Sequence, residues 1–181
     1  MSDEGLCRDA RINWGVAKPG YENTVADGKS LATSLENDAV YLERQRAVRD
    51  DLNRKLTYLN EQIDAKNRKI SDLQAIIDSS SSTQQERDEA GAEVKTLESE
   101  LRGLDDNYDG RQPTKTRRDE LATEIETIEG RLPGNRDELN RLKDEAAQFY
   151  TALENAKASI DANCSEEHRG SSEFWMPERW P

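Results

Sequence analysis

Leu31 to Ile77 reads LATSLENDAVYLERQRAVRDDLNRKLTYLNEQIDAKNRKISDLQAII. Placing Leu35, Leu42, Leu56, Ile63, Ile70 and Ile77 at position a of a heptad puts Leu31, Leu52, Leu59 and Leu73 at position d. Apolar residues alternating three and four apart form a narrow stripe on a helix, and such a stripe is buried by a second helix winding around the first. The spacing therefore predicts a coiled-coil helix over 31–77, roughly 70 Å long at about 1.5 Å per residue. Four seam positions are polar: Asp38, Gln45 and Lys66 at d, and Arg49 at a. Polar seam residues lower stability while fixing register and partner choice. Ile at a with Leu at d favours two strands over three or four.

Composition agrees with long helices. Of the 181 residues, 33% are hydrophobic and 35% charged, with a mean hydropathy of −1.03. A globe of this size needs more apolar residues to fill its interior, whereas a paired helix needs only a stripe. The same composition fits disorder, which the heptad register excludes for the middle of the chain. The net charge of −12 repels phosphate backbones and anionic lipid, so neither nucleic acid nor a membrane surface is an expected partner. No run of apolar residues is long enough to span a bilayer. Met1-Ser2-Asp3-Glu4 is polar, unlike a signal peptide, so a protein made and kept in a cytoplasm, or released by lysis, is expected.

Residues 1–30 carry Gly5, Gly15, Pro19, Gly20 and Gly28, which reads as an extended attachment arm with Trp14 as its apolar anchor. The first helix is expected from Ser30 or Leu31. Ser79 to Ser82 then break it, because serine side chains compete for backbone hydrogen bonds. Thr83-Gln84-Gln85-Glu86 matches a capping box, opening a short helix with the stripe Ala90, Val94, Leu97, Leu101, Leu104 and Tyr108. Its register is displaced by three residues from the first helix, which either overwinds a continuous coiled coil or marks a corner, and the serines favour the corner. Asp105 to Pro113 is a second break, so 78–115 is a break, a short helix and a loop. A coiled-coil helix is expected over 116–162, opening at Thr116 and kinked at Pro133 and Gly134, with seam residues Leu121, Ile125, Ile128, Leu132, Leu139, Leu142, Ala146, Phe149, Leu153, Ala156 and Ile160. Asn135 could instead cap a separate helix. Residues 87–103 resemble 118–134, matching at Glu93/Glu124, Thr96/Thr127 and Leu101/Leu132 among others.

The fold class is thus all-α, a segmented coiled coil with a non-helical N-terminal arm and a C-terminal aromatic tail. Two architectures satisfy it. Several chains can run parallel as a segmented fibre. Alternatively one chain folds back, which would bring Cys7 near Cys164; the other reading of these cysteines is two free thiols. The region 163–181 is a linker and a tail, EFWMPERWP, in which Phe174, Trp175, Met176 and Trp180 form an aromatic docking motif.

Chemistry is sparse. His168 is the one histidine, so any Ser-His-Asp or Cys-His site would have to use it. Cys164 and His168 are spaced like half a zinc site, with Cys7 the only other soft donor. Asn163-Cys164-Ser165 is formally a glycosylation acceptor. Asp105-x-Asn107-x-Asp109-Gly110 resembles the first half of an EF-hand loop, making Asp105, Asn107 and Asp109 the calcium candidates. The second half departs, with Pro113 at position 9 and Thr116 where the bidentate glutamate belongs. The other reading is a corner whose residues tolerate left-handed backbone. Neither a metal site, a cofactor nor an enzyme activity is expected.

The layout of a short N-terminal anchor, a coiled coil segmented by Gly/Pro-bearing loops and a small C-terminal apolar unit resembles phage fibritin and whisker-like neck or tail fibre proteins. The resemblance implies a trimeric virion component, where the Ile/Leu seam favours a dimer. The expected function is structural: self-association through the coiled coil as homodimer or homotrimer, with docking on a larger protein assembly through the arm and the tail. The alternative is an intracellular adaptor or cytoskeletal binding module that uses the tail as a short ligand.

Overall fold

The computed structural model describes residues 3–181. Its elements are α1 (Glu4–Asp78), α2 (Gln84–Asp106), α3 (Arg111–Asn163), α4 (Glu166–Arg169) and a 3-10 turn over Ser172–Phe174. The described residues contain no strand.

The largest departure from expectation is at the N-terminus. Residues 4–30 are not an extended arm; they are the first third of α1, with Pro19 inside the helix. The seam explains this. Counting back from Leu35 by sevens reaches Gly28, Tyr21, Trp14 and Cys7, and from Leu31 reaches Thr24, Ala17 and Ala10. All seven are buried. Burying this stripe offsets the N–H that Pro19 cannot donate. Asp3 caps the helix, its carboxylate accepting from the N–H groups of Gly5 and Leu6 at 3.1 Å each.

The serine break is where it was expected, and so is the capping box. Thr83 Oγ1 accepts from the Glu86 N–H at 3.2 Å, and the Glu86 carboxylate accepts from the Thr83 N–H at 2.6 Å. The second break is shorter than expected, because α3 opens at Arg111 instead of Thr116. Pro113 falls in the first turn of α3, where a missing N–H has no intrahelical partner to lose. Thr116 does not cap; its hydroxyl donates to the Gln112 carbonyl. Helix α3 is continuous across Pro133 and Gly134, and Asn135 is a half-buried seam residue, not a cap. Tyr108 lies beyond the end of α2 and is 80% exposed, outside the stripe assigned to it.

The chain divides into two compact units: a clasp unit made of residues up to Ala39 with Glu129–Pro181, and a seam unit, Val40–Ile128. Within each unit α1 runs antiparallel to its partner, so the structure takes the fold-back alternative. In the seam unit Tyr41 reaches Glu124, Arg118 reaches Asn53, Lys55 reaches Asp109, Lys66 reaches Glu100, and Lys69 reaches Glu93. Between these charged flanks Leu42, Leu56, Leu59, Ile63, Leu97, Ile125 and Ile128 are buried. In the clasp unit Arg131 forks onto Asp38 with bonds of 2.6 and 3.2 Å. The ring of Phe149 lies on the backbone of Gly20, where an added Cβ would come within 2.6 Å of it. The stripe from Ala146 to Ile160 therefore shares one buried cluster with Cys7, Ala10, Trp14, Ala17 and Tyr21 of α1.

Candidate interaction site

Cys7 and Cys164 are joined by a disulfide, their Cα atoms 5.0 Å apart. Both belong to the clasp unit and both are buried. Cys7 sits at seam position a, and Cys164 follows the last seam residue of α3, Ile160, by one helical turn. The antiparallel register thus sets the two side chains opposite each other. The Cys164 carbonyl, at the end of α3, accepts from Arg169 Nε at 2.7 Å, which satisfies one of the carbonyls that a helix end leaves free. Bonded sulfurs are not thiolates, so the Cys164–His168 spacing does not supply a zinc half-site. His168 is half-buried and lies 3.1 Å from the Arg11 guanidinium. Asn163 Nδ2 donates to the Ser159 carbonyl.

Beyond α4 the chain turns back along the helix pair. Ser171 closes the turn by accepting from the Glu173 N–H. Phe174 then inserts beside Trp14, ring centroids 5.8 Å apart and planes at 73°, an edge-to-face pair. The buried indole of Trp14 donates to the Glu173 carbonyl at 3.0 Å. Further along, the Tyr21 hydroxyl donates to the Glu178 carbonyl and accepts from the Trp180 N–H, both at 2.7 Å. Tyr21 also meets Tyr150 at 5.5 Å. Arg179 stacks over the Tyr150 ring at 5.4 Å, and the Lys143 ammonium sits 5.9 Å from the Trp180 ring. The Trp180 ring rests on Gly28, where a Cβ would lie 2.1 Å from it; only a residue without a side chain admits this contact.

Of the five expected interface residues, Trp14 and Phe174 are therefore interior to the chain. Met176 and Trp180 are half-buried against the same core. Trp175 alone projects, 66% exposed. The tail is a clamp on its own helices before it can be a ligand for anything else. Sequence reasoning missed Tyr21, Tyr150 and Gly28, the residues that receive it. The signal for Tyr21 and Gly28 was their place in the heptad register; Tyr150 is flanked by seam Phe149 and carried no such mark.

The Asp105 to Gly110 corner is built from ion pairs. Asp105 accepts from Arg111 at 2.7 Å and Asp109 from Lys55 at 2.7 Å. The Lys55 ammonium, and Arg117 more weakly, hold the Asp109 carboxyl below its ordinary range. Among the described residues no group of three or more His, Cys, Asp or Glu is arranged to hold a metal. None of the described residues, glycines included, has a positive φ, so left-handed backbone is not why this corner uses Asp, Asn and Gly. Gly110 is required by crowding: a Cβ there would lie 2.7 Å from the Asp105 carbonyl oxygen.

On the clasp unit a cleft of about 570 Å³ opens between α1 and α3, lined by Leu6, Ala10, Val16, Phe149, Ala152 and Ala156 among others. No family model, curated protein or solved structure matches the chain. Among the described residues no helix is long and apolar enough to cross a membrane.

Proposed function

We propose that the protein is a non-enzymatic structural component of a virion neck, collar or tail fibre, which self-associates and docks on a larger assembly. The observation that carries this reading is the Cys7–Cys164 clasp. Thiols in a cytosol are kept reduced, while disulfides persist on virion surfaces and in other oxidising surroundings. A covalent clasp with an aromatic clamp over it suits a part that must keep its shape after release from the cell. The same observation weighs against the intracellular adaptor. An adaptor would present its tail as a free peptide, and here the tail's Phe174, Met176 and Trp180 already pack on the chain's own core.

Two measurements test the reading. The genes flanking this one are expected to encode portal, sheath or tail proteins; flanking genes of cytoskeleton or signalling would overturn it. Thiol labelling of the chain taken from its native source is expected to leave Cys7 and Cys164 unmodified until a reductant is added. Full labelling without reductant would remove the main support.

A further inference from the structure

The first turns of α3 depart from the heptad rule. Counting back by sevens from Leu132 and Ile125 reaches Arg118 and Arg111, so two guanidinium groups stand in a seam row that carries large aliphatics further along. The other seam row keeps to the rule: Thr114, seven before Leu121, is fully buried. Lys115, four after Arg111 and three before Arg118, lies on the same helix face as both. A cleft of about 430 Å³ stays open here within the seam unit, lined by Arg111, Gln112, Lys115 and Arg118 of α3 and by Leu56 and Asn60 of α1.

The lining runs against the charge of the chain. The protein has 38 acidic residues against 26 basic ones, yet three cations and no carboxylate line this cleft. The arginines are held in place by residues outside it. Asp105 accepts from Arg111 Nε at 2.7 Å, and Asp119 and Asn53 accept from Arg118 at 2.8 and 3.3 Å. The terminal nitrogens of Arg111, the Lys115 ammonium and the side-chain amides of Asn60 and Gln112 make no hydrogen bond to any described residue. Every polar side chain lining the cleft is thus able to donate, and the three cations can only donate.

We infer that this cleft binds a small, multiply charged oxyanion of the phosphate class, such as inorganic phosphate or diphosphate. Guanidinium groups present paired N–H donors that match phosphate oxygens, and an ammonium adds a point charge. A phosphate group carries roughly −2 at neutral pH, which three cations can balance; a singly charged carboxylate would leave two of them uncompensated. The net charge of −12 sets the size of the ligand. A polyanion long enough to leave the cleft meets an acidic surface that repels it, whereas a small anion stays among the cations. Arg111 and Arg118 therefore cost the seam apolar packing, and the bound anion supplies a shared counter-charge in its place. An anion that binds only the folded seam unit also stabilises it by mass action. This inference stands apart from the structural role proposed above.

Isothermal titration of the oxidised full chain with sodium diphosphate, at constant ionic strength, tests it. Saturable binding is expected with a dissociation constant below about 1 mM, and none with sodium acetate. In nuclear magnetic resonance spectra diphosphate is expected to shift the side-chain amides of Asn60 and Gln112 and the backbone amide of Lys115, while amides around Lys66 and Lys69, another basic stretch, stay in place. Lys115→Glu alters an exposed residue and is expected to weaken binding about 10-fold or more. Lys95→Glu makes the same charge change at another exposed position of the seam unit and is expected to weaken it by less than about twofold. Circular dichroism checks that both variants are folded, and Lys115→Gln replaces Lys115→Glu if it is not. Absence of saturable heat at about 10 mM diphosphate overturns the site. Equal weakening by Lys95→Glu, or shifts centred on Lys66 and Lys69, overturns it too, because binding would then follow general charge. Citrate binding as tightly as diphosphate overturns the assignment to the phosphate class.

Discussion

In the clasp unit α1 meets α3 through Trp14, Tyr21, Leu153 and Ile160, closed at one end by a disulfide and covered by the tail. In the seam unit α1 meets α2 and the start of α3 through Leu56, Leu59, Ile63, Leu97 and Ile125, flanked by pairs such as Lys55–Asp109 and Lys66–Glu100. One helix runs in a single heptad register through both. The register is therefore a scaffold that tolerates two chemistries. Leu and Ile fill the space between two helices and nothing more. Trp, Tyr, Ala and Gly leave bays and polar handles, and these are what a third segment needs in order to dock. Trp14 and Tyr21 at position a are fully buried, and the tail contacts are made on them.

The contrast can be broken most forcefully at Trp14. Trp14→Ala removes a buried ring and leaves the Glu173 carbonyl without its donor, and is expected to cost about 4 kcal/mol. Hydrogen exchange should show the loss in α4 and the tail first, with the amides near Leu59 protected as before; uniform loss would mean that the units do not differ. Cys7→Ser opens a loop whose ends are 157 residues apart and is expected to lower stability by about 3 kcal/mol in a urea titration. A midpoint unchanged by reduction would show that the aromatic clamp suffices alone. Gly28→Ala places a methyl where the Trp180 ring lies and is expected to cost about 1–2 kcal/mol, read as a change in tryptophan emission and faster proteolysis of the tail. An Ala at an ordinary exposed helix position would instead stabilise the helix.

Acid probes the seam unit with the smallest effect. The Glu86 carboxyl is held below its ordinary 4.5 mainly by the Thr83 N–H it accepts from, and Asp109 below its ordinary 3.8 by Lys55. A depressed carboxyl contributes stability that is fully present above its unfolded value and is lost as pH falls through the folded one. Protection of α2 amides is expected to decline below pH 4.5, while the disulfide does not titrate. Equal decline in α2 and in the α1 amides around Trp14 would erase the distinction.

Much of this was legible from residues alone. Leu and Ile at a and d over 31–77 mark the helix because few other arrangements place large aliphatics at that spacing. The serine run and Thr83–Glu86 mark the corner and the next start by local hydrogen bonding. The N-terminal third of α1 was misread because Gly15, Pro19 and Gly20 argue locally for a loop. The same sevenfold count passes through Cys7, Trp14, Tyr21 and Gly28, residues too small or too aromatic to register as a seam. The tail was recognised as an apolar unit, but not which of its residues turn inward: Phe174 is buried and Trp175 is exposed, and composition carries no direction.

What the sequence by itself determined is the helical period and its interruptions, because those depend on residues within a turn or two of one another. Which stripe covers which was decided only by the tertiary structure. The Leu139–Ile160 face could have been buried by any stripe of equal spacing, in this chain or another. It took the N-terminal stretch of α1, a pairing in which Cys7 meets Cys164 and Trp14 meets Phe174. The open cleft beside Phe149 follows from the same pairing. It belongs to neither helix, and exists only where the alanines of the two face each other across a ring seated on Gly20.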